Sequence, residues 1–320
     1  MSSPSNPTVM PDQTEVAPST VEATYKAREV EGFVDVHFYR KIGFRIAQFF
    51  AQRNVRPATV TLLGGVFGIL AGHFYYYRDL RINLLGIALH IVANALDNAD
   101  GQLARLLNQQ SRFGRLLDGV VDHVIWLSIY FHLALRHVAS GGSPWIWLVA
   151  AMAALSHGLQ AATADYCRNG YLYFVRGRIG VDFDSSSGLE KDSRQLTWRK
   201  ASLEKLFLMF YANITRQQEV LVPGLKQLRE KVNHDFPDEL PAWVQSRYKT
   251  TARSVLKWCG WLMTNARIFL LFFLFIIAEP TWFFWIEITI FNALLAYVIF
   301  QQQETSRSLL ELLERRPEVA

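Results

Sequence analysis

The residues that can do chemistry are concentrated between Asp97 and Asp122, where four aspartates and one arginine border apolar runs. The stretch follows the pattern D-x2-D-G-x2-A-R-x8-G-x3-D-x3-D. Residues three or four apart share one face of a helix, so Asp97 pairs with Asp100 and Asp118 with Asp122. Two facing helices would therefore present four carboxylates to one volume.

So much negative charge beside apolar runs requires compensation, because crowding carboxylates disfavours their charged state. Divalent cations provide it, and Mg²⁺ or Mn²⁺ suit a set of oxygen ligands. Two metal ions in one carboxylate cluster suit displacement at phosphorus. Arg105 adds a forked cation for a phosphate. Gly101 and Gly114 let a ligand or a neighbouring helix approach the backbone closely.

The motif resembles the signature of the CDP-alcohol phosphotransferases, and it matches at every specified position. The resemblance implies an enzyme in which the four aspartates hold two divalent cations, Mg²⁺ or Mn²⁺. It implies that Asp122 also acts as the general base. It also implies that Gly101 and Arg105 bind the CDP moiety of the substrate.

Two hydroxyl residues extend the nucleotide site that the resemblance implies. Ser111 falls where relatives carry a small hydroxyl residue near the CDP moiety. Thr61 follows Pro57 and Val60 where relatives have Pro-Asn or Pro-Asp and then a Val-Thr step, and Ala58 departs from that pattern. The alternative interpretation of Thr61 is an intramembrane hydroxyl that bonds its own helix.

Composition indicates an integral membrane protein, since 51% of the residues are hydrophobic and they fall in long apolar runs. We predict an all-α fold of six transmembrane helices, with an amphipathic interfacial helix before them and a polar helical insertion between the fourth and fifth. The expected segments are a disordered N-terminus at 1–24, the interfacial helix within 25–56, transmembrane helices 1–4 with the active site at 57–179, a cytoplasmic insertion at 180–257, transmembrane helices 5–6 at 258–303 and a C-terminal tail at 304–320.

Basic residues flank the spans on one side, which predicts that both termini and the aspartates face the cytoplasm of a bacterial inner membrane. The formal charge of +5 suits an anionic membrane surface, and no nucleic-acid-binding motif is present. Arg168 and Arg176 follow the fourth span and are candidate contacts for an anionic acceptor. The positive charge of a cytoplasmic loop by itself accounts for each of them. Cys167 and Cys259 form no metal or redox motif.

The resemblance implies phospholipid synthesis, in which a phosphatidyl group passes from CDP-diacylglycerol to an alcohol and CMP leaves. Inositol phosphate is the acceptor we favour, because six spans and a basic loop are similar to the phosphatidylinositol phosphate synthases. One alternative is an aminoalcohol phosphotransferase that uses CDP-choline or CDP-ethanolamine with diacylglycerol. Another is a divalent-cation transporter, although Arg105 would repel its cargo. The expected partners are a CDP-linked lipid, an alcohol and membrane lipids; relatives are commonly homodimers, but no residue identifies an interface.

Overall fold

The structure, a computed structural model, describes residues 29–177 and 183–315. These residues form helices and no strands, so the predicted all-α membrane fold is confirmed. The segment predicted to be disordered, 1–24, and the domain boundary predicted after residue 179 lie outside the described residues.

Helices follow one another with short connections along the described chain. The α-helices are α1 Arg40–Ala51, α2 Pro57–Tyr75, α3 Leu80–Leu106, α4 Arg112–Ala139, α5 Ile146–Arg176, α6 Ser186–Gln195, α7 Trp198–Leu221, α8 Pro223–Asp235, α9 Ala242–Cys259, α10 Thr264–Ile276, α11 Trp282–Ile286 and α12 Asn292–Arg315. A π-helical turn, Asp35–Tyr39, leads into α1, and a second, Glu287–Phe291, joins α11 to α12.

Within the described residues, five stretches are long and apolar enough to cross a membrane. They are α2, α3, α4, α5 and the stretch from α11 through α12. The sixth span forms only if Ala242–Leu262 and Thr264–Ile276, bent by 42°, count as one. The sequence predicts one continuous fifth span, and the structure differs because α10 alone is too short to cross the hydrocarbon. Helix α10 has 13 residues, about 20 Å at 1.5 Å per residue, and the hydrocarbon core is about 30 Å thick.

Glycines on α2 bring α4 unusually close to it. A Cβ atom at Gly68 would lie 2.5 Å from Ile125 Cγ1, and one at Gly65 would lie 2.9 Å from Val121 Cγ1. Gly65 and Gly68 lie about one helical turn apart, and small residues at such spacing allow close packing where no water drives helices together. The close contact of α2 with α4 matters for function because Val121 and Ile125 flank Asp122 on α4.

The N-terminal helix packs against α3, which carries the first two aspartates of the motif. Phe44 and Ala47 are buried in this contact, while Arg45 is exposed, as expected for an amphipathic interfacial helix. The contact is tight, since a Cβ atom at Gly43 would lie 3.2 Å from the backbone nitrogen of Ala99. Helix α1 therefore packs closely on the part of α3 that carries Asp97 and Asp100.

The predicted insertion is helical, and its core forms where α8 and α9 pack against the ends of α5 and α12. Leu225, Val244 and Tyr248 are buried there with Phe174 of α5 and Leu309 of α12. Part of the predicted tail at 304–320 therefore belongs to this core, because α12 continues as a helix to Arg315.

Helix α7 of the insertion carries an apolar stripe in its first half. Leu206 and Phe210 lie on this stripe at helical spacing. Both side chains are exposed, whereas Ala212, Thr215 and Gln218 face the neighbouring helices. The insertion thus packs through the second half of α7.

Candidate active site

All four aspartates of the motif line one cavity between α3 and α4. Asp97, Asp100 and Asp118 each offer an oxygen atom, and these atoms lie within 4.8 Å of one another. Asp122 lines the same cavity one helical turn further along α4, together with Thr61 of α2. The predicted face-to-face arrangement of the two aspartate pairs is therefore the arrangement in the structure.

The aspartates differ in their surroundings. Asp100 is buried, Asp97 and Asp118 are half-buried, and Asp122 is exposed. Three clustered carboxylate oxygens form a set that suits a hard divalent cation. The cluster thus fits a metal ion on one side and leaves a carboxylate open on the other.

Thr61 holds the buried member of the cluster. Its hydroxyl donates a hydrogen bond to Asp100 Oδ2 and lies 3.2 Å from the carbonyl oxygen of Pro57, one turn earlier on its own helix. Thr61 was predicted to contact the nucleotide or to bond its own helix. The structure adds a third role that the sequence did not indicate, because Thr61 orients a carboxylate of the cluster.

Arg105 folds back over Gly101 on α3. Its Nη2 atom lies 3.4 Å from the position that a Cβ atom at Gly101 would occupy, so the glycine makes room for the guanidinium group. The Arg105 Nε atom is buried and has no hydrogen-bond partner among the described residues. Arg105 also interacts electrostatically with Asp100 and with Glu31 and Arg40 from the N-terminal segment. The guanidinium group is therefore close to the carboxylates and retains donor capacity.

Ser111 and Gly114 shape the start of α4. The Ser111 hydroxyl accepts a hydrogen bond of 2.9 Å from the Gly114 backbone N–H and caps the helix. Asn108, with a φ of 50°, ends α3 in the left-handed conformation that asparagine tolerates. In the described structure Ser111 is thus a helix cap, and it does not line the carboxylate cavity.

The two arginines predicted to contact the acceptor lie near the end of α5. Arg176 is exposed and forms an ion pair of 3.7 Å with Glu29. Arg168 is half-buried. Among the described residues that line the carboxylate cavity, neither arginine is present. The structure therefore does not bring them together with the aspartates.

The sequence analysis missed the N-terminal residues beside Arg105. The Arg40 Nε and Nη2 atoms lie 2.9 Å from the two carboxylate oxygens of Glu31, and Gln102 donates to the Arg40 carbonyl oxygen at 3.1 Å. Nearby, Asn265 of α10 donates to Asp35 at 2.9 Å. These partners are far apart in sequence, so no local pattern could reveal them.

The fold and the site define a class: a helical membrane protein with a carboxylate cluster on two facing helices. The match to known families agrees with this class. Residues 54–170 match the model of the family described as CDP-alcohol phosphatidyltransferase. This part of the chain, which includes α2, α3, α4 and most of α5, is a CDP-alcohol phosphatidyltransferase domain.

Several curated proteins are similar to a part of this chain. A phosphatidylinositol phosphate synthase of Streptomyces avermitilis is 33% identical over 106 residues, which cover 32% of this chain and 42% of that protein. An archaetidylinositol phosphate synthase of Pyrococcus horikoshii is 35% identical over 91 residues, covering 28% of this chain and 47% of that protein. A putative cardiolipin synthase of Mycobacterium tuberculosis is 36% identical over 81 residues, 25% of this chain and 36% of that protein. In each case this chain matches less than half of the relative's length.

Proposed function

We propose that this protein is a phospholipid-synthesising CDP-alcohol phosphotransferase. In this proposal it transfers a phosphatidyl group from CDP-diacylglycerol to inositol phosphate and releases CMP. The observation that carries the proposal is the cavity lined by Asp97, Asp100, Asp118 and Asp122 inside the CDP-alcohol phosphatidyltransferase domain. Divalent cations held by these carboxylates would compensate the negative charge of the diphosphate of a CDP-linked lipid.

The donor set fits two divalent cations, for which we propose Mg²⁺ or Mn²⁺. Asp97, Asp100 and Asp118 offer oxygens close enough to share one ion, and Asp122 completes the set of ligands that we propose. Bound there, the ions would neutralise charge on the phosphoryl oxygens of the substrate. Thr61 supports this arrangement because its hydrogen bond fixes the Asp100 carboxylate, as partners of metal ligands commonly do.

The remaining steps are assigned to side chains of this chain. Gly101 and Arg105 contact the CDP moiety, and the unpaired Arg105 Nε supports this role because it is available to a phosphate oxygen. Asp122, which is exposed, accepts the proton of the acceptor hydroxyl. That hydroxyl oxygen forms a bond to the phosphorus attached to the lipid, and the bond from this phosphorus to CMP breaks.

The relatives support the choice of acceptor. Two of the proteins described above are named as inositol phosphate lipid synthases, whereas the third is named a putative cardiolipin synthase. Arg168 and Arg176 remain our proposed contacts for the acceptor phosphate, with Ser111 a proposed contact of the nucleotide. Arg168 is the stronger of the two arginines, because Glu29 already pairs with Arg176.

We also propose that the aspartates and both termini face the cytoplasm of a bacterial inner membrane. The distribution of basic residues around the spans supports this orientation. It places the site on the side of the membrane where nucleotide-linked substrates are made. Labelling of single introduced cysteines in intact cells would test it.

The direct test of the reaction uses purified protein reconstituted with lipid, CDP-diacylglycerol and Mg²⁺ or Mn²⁺. Inositol phosphate, glycerol phosphate, inositol and serine are offered separately, and CMP release is measured. We expect release with inositol phosphate alone. Release with another acceptor would show that inositol phosphate is not the acceptor, while CDP-diacylglycerol would stand as the donor. Release of CMP only from CDP-choline or CDP-ethanolamine with diacylglycerol would refute CDP-diacylglycerol as the donor. Metal flux without CMP release would refute the proposal that the protein is an enzyme.

A further inference from the structure

Helix α7 exposes an apolar surface that the membrane domain does not cover. The surface consists of Leu206, Met209 and Phe210, which are 57%, 48% and 47% exposed, and we call it the α7 patch. The opposite side of the helix carries the buried Ala212 and Thr215. A water-facing helix normally shows the reverse distribution, with apolar side chains inward.

The exposure of the α7 patch is that of a lipid-facing surface. On α4, a membrane span, Leu127 and Phe131 are 63% and 49% exposed, which is the range found in the patch. Proteins rarely leave neighbouring large apolar side chains in water, and such clusters mark interaction surfaces.

The patch also continues the apolar side of α4. Phe207, which adjoins the patch, contacts Phe113 with ring centroids 5.8 Å apart. Phe113 lies at the start of the span, and exposed apolar residues follow it along one face of α4, including Val120 and Val124. A surface that covers this face of α4 therefore covers the α7 patch as well.

The position of α7 along α5, a neighbouring membrane span, also indicates that α7 lies beside the bilayer. Helix α5 has 31 residues, and about 20 suffice to cross the hydrocarbon. A span of that length from Ile146 would include Ala162, whose carbonyl oxygen accepts a hydrogen bond of 2.9 Å from Gln218 of α7. At the beginning of α7, the exposed Trp198 lies beneath Lys205, whose Nζ atom is 5.2 Å from the ring centroid. Tryptophan and lysine side chains are typical of the membrane interface.

We infer that α7 is a second interfacial helix, whose first half inserts the α7 patch into the bilayer beside α4. The insertion is then attached to the membrane through α7 as well as to α5. This inference does not depend on the proposed activity, because it rests on the exposed surface alone.

The experiment measures the depth of spin labels on full-length protein in lipid nanodiscs. Cysteine is introduced at Leu206, Phe210 or Gln227, and the two native cysteines are buried. Gln227 of α8 is the control, because it is exposed and α8 packs further along α5, where Leu225 lies against Gly170. Accessibility to oxygen, which dissolves in the bilayer, is compared with accessibility to a water-soluble nickel complex.

We expect oxygen accessibility to exceed nickel accessibility at Leu206→Cys and Phe210→Cys, and the ratio to reverse at Gln227→Cys. Higher nickel accessibility at all three positions would overturn the inference, since the patch would then face water. Labels at the patch that are accessible to neither reagent, together with disulfide-linked dimers, would also overturn it. The patch would in that case be covered by a second copy of the chain.

Discussion

The hydroxyl of Thr61 on α2 donates a hydrogen bond to the carboxylate of Asp100 on α3, inside the cavity that the four aspartates share. The bond joins a helix without acidic residues to the helix that carries half of the cluster. It connects the packing of the membrane domain with the geometry of the proposed metal site.

Replacing Thr61 with valine should weaken metal binding while keeping the fold. The substitution preserves the shape of the side chain and removes the hydrogen bond that orients Asp100. Loss of a partner of a metal ligand typically reduces affinity or activity by about 10- to 100-fold. Titration of Mn²⁺, followed by electron paramagnetic resonance, measures the change. Thr59→Val is the control, because Thr59 is exposed on the same helix; equal Mn²⁺ affinity of the two variants would refute the role of Thr61.

Adding a methyl group at Gly68 should destabilise the contact between α2 and α4. The new Cβ atom would lie 2.5 Å from Ile125 Cγ1, and this branched side chain has little room to move. Overpacking of this kind costs about 1–3 kcal/mol. Thermal unfolding in detergent measures it for Gly68→Ala, with Gly158→Ala as the control because no atom lies within 4 Å of a Cβ there. A similar melting temperature for both variants would contradict the packing described.

Arg40 should influence nucleotide binding although it precedes the first span. It neutralises Glu31, whose side chain is 2% exposed. Without Arg40, the buried carboxylate would turn to Arg105 and compete with the diphosphate for its guanidinium group. We expect Arg40→Gln to weaken the binding of CDP by about tenfold, which corresponds to about 1.4 kcal/mol.

Calorimetric titration with CDP and Mg²⁺ tests this prediction. Arg45→Gln is the control, because it removes the same charge from an exposed position on the same helix. The double variant Arg40→Gln, Glu31→Gln should recover part of the affinity, since the competing carboxylate is gone. If Arg45→Gln weakens binding as much as Arg40→Gln, the effect is one of overall charge and the local explanation is wrong.

A buried ion pair should stabilise the second half of the membrane domain. Arg267 of α10 donates to Glu287 at 2.7 Å and to Gln160 of α5 at 2.5 Å, and all three side chains are fully buried. Removal of one partner from a buried pair costs about 3–5 kcal/mol, because the other charge is left without compensation. Arg267→Met should therefore lower the melting temperature strongly, and the double variant with Glu287→Met should lower it less.

The control for the ion pair is Arg307→Met. Arg307 pairs with Glu311 at 3.1 Å on the exposed side of α12. Exposed pairs of this kind contribute about 0–1 kcal/mol. If Arg267→Met and Arg307→Met lowered the melting temperature equally, burial would add nothing to the stabilisation by the ion pair.

Much of this architecture could be predicted from local patterns. The spacing from Asp97 to Asp122 predicts two aspartate pairs on facing helices, and the apolar runs predict the spans. Such patterns succeed because helical periodicity and hydrocarbon thickness act on neighbouring residues. The four-residue spacing of Gly68 and Gly72, both of which meet α4, is a further local pattern that predicts close helix packing.

Other features depend on residues that only the tertiary fold brings together. Thr61 and Asp100 are 39 positions apart, and Asp35 and Asn265 are 230 apart, so periodicity says nothing about either contact. The exposure of Leu206 and Phe210 illustrates a second limit. An apolar stripe predicts that one face of a helix avoids water, but it does not distinguish a protein neighbour from a bilayer.

The measurement that tests the central claim most directly compares CMP release by wild-type protein and the Asp122→Asn variant. Both are purified, reconstituted in lipid and supplied with CDP-diacylglycerol, inositol phosphate and Mg²⁺ or Mn²⁺, and Asp165→Asn, on the exposed side of α5, is the control. We predict that Asp122→Asn lowers the rate by about 100- to 10,000-fold, the usual contribution of a general base, without lowering the melting temperature. CMP release at the wild-type rate by folded Asp122→Asn protein would contradict the proposed mechanism.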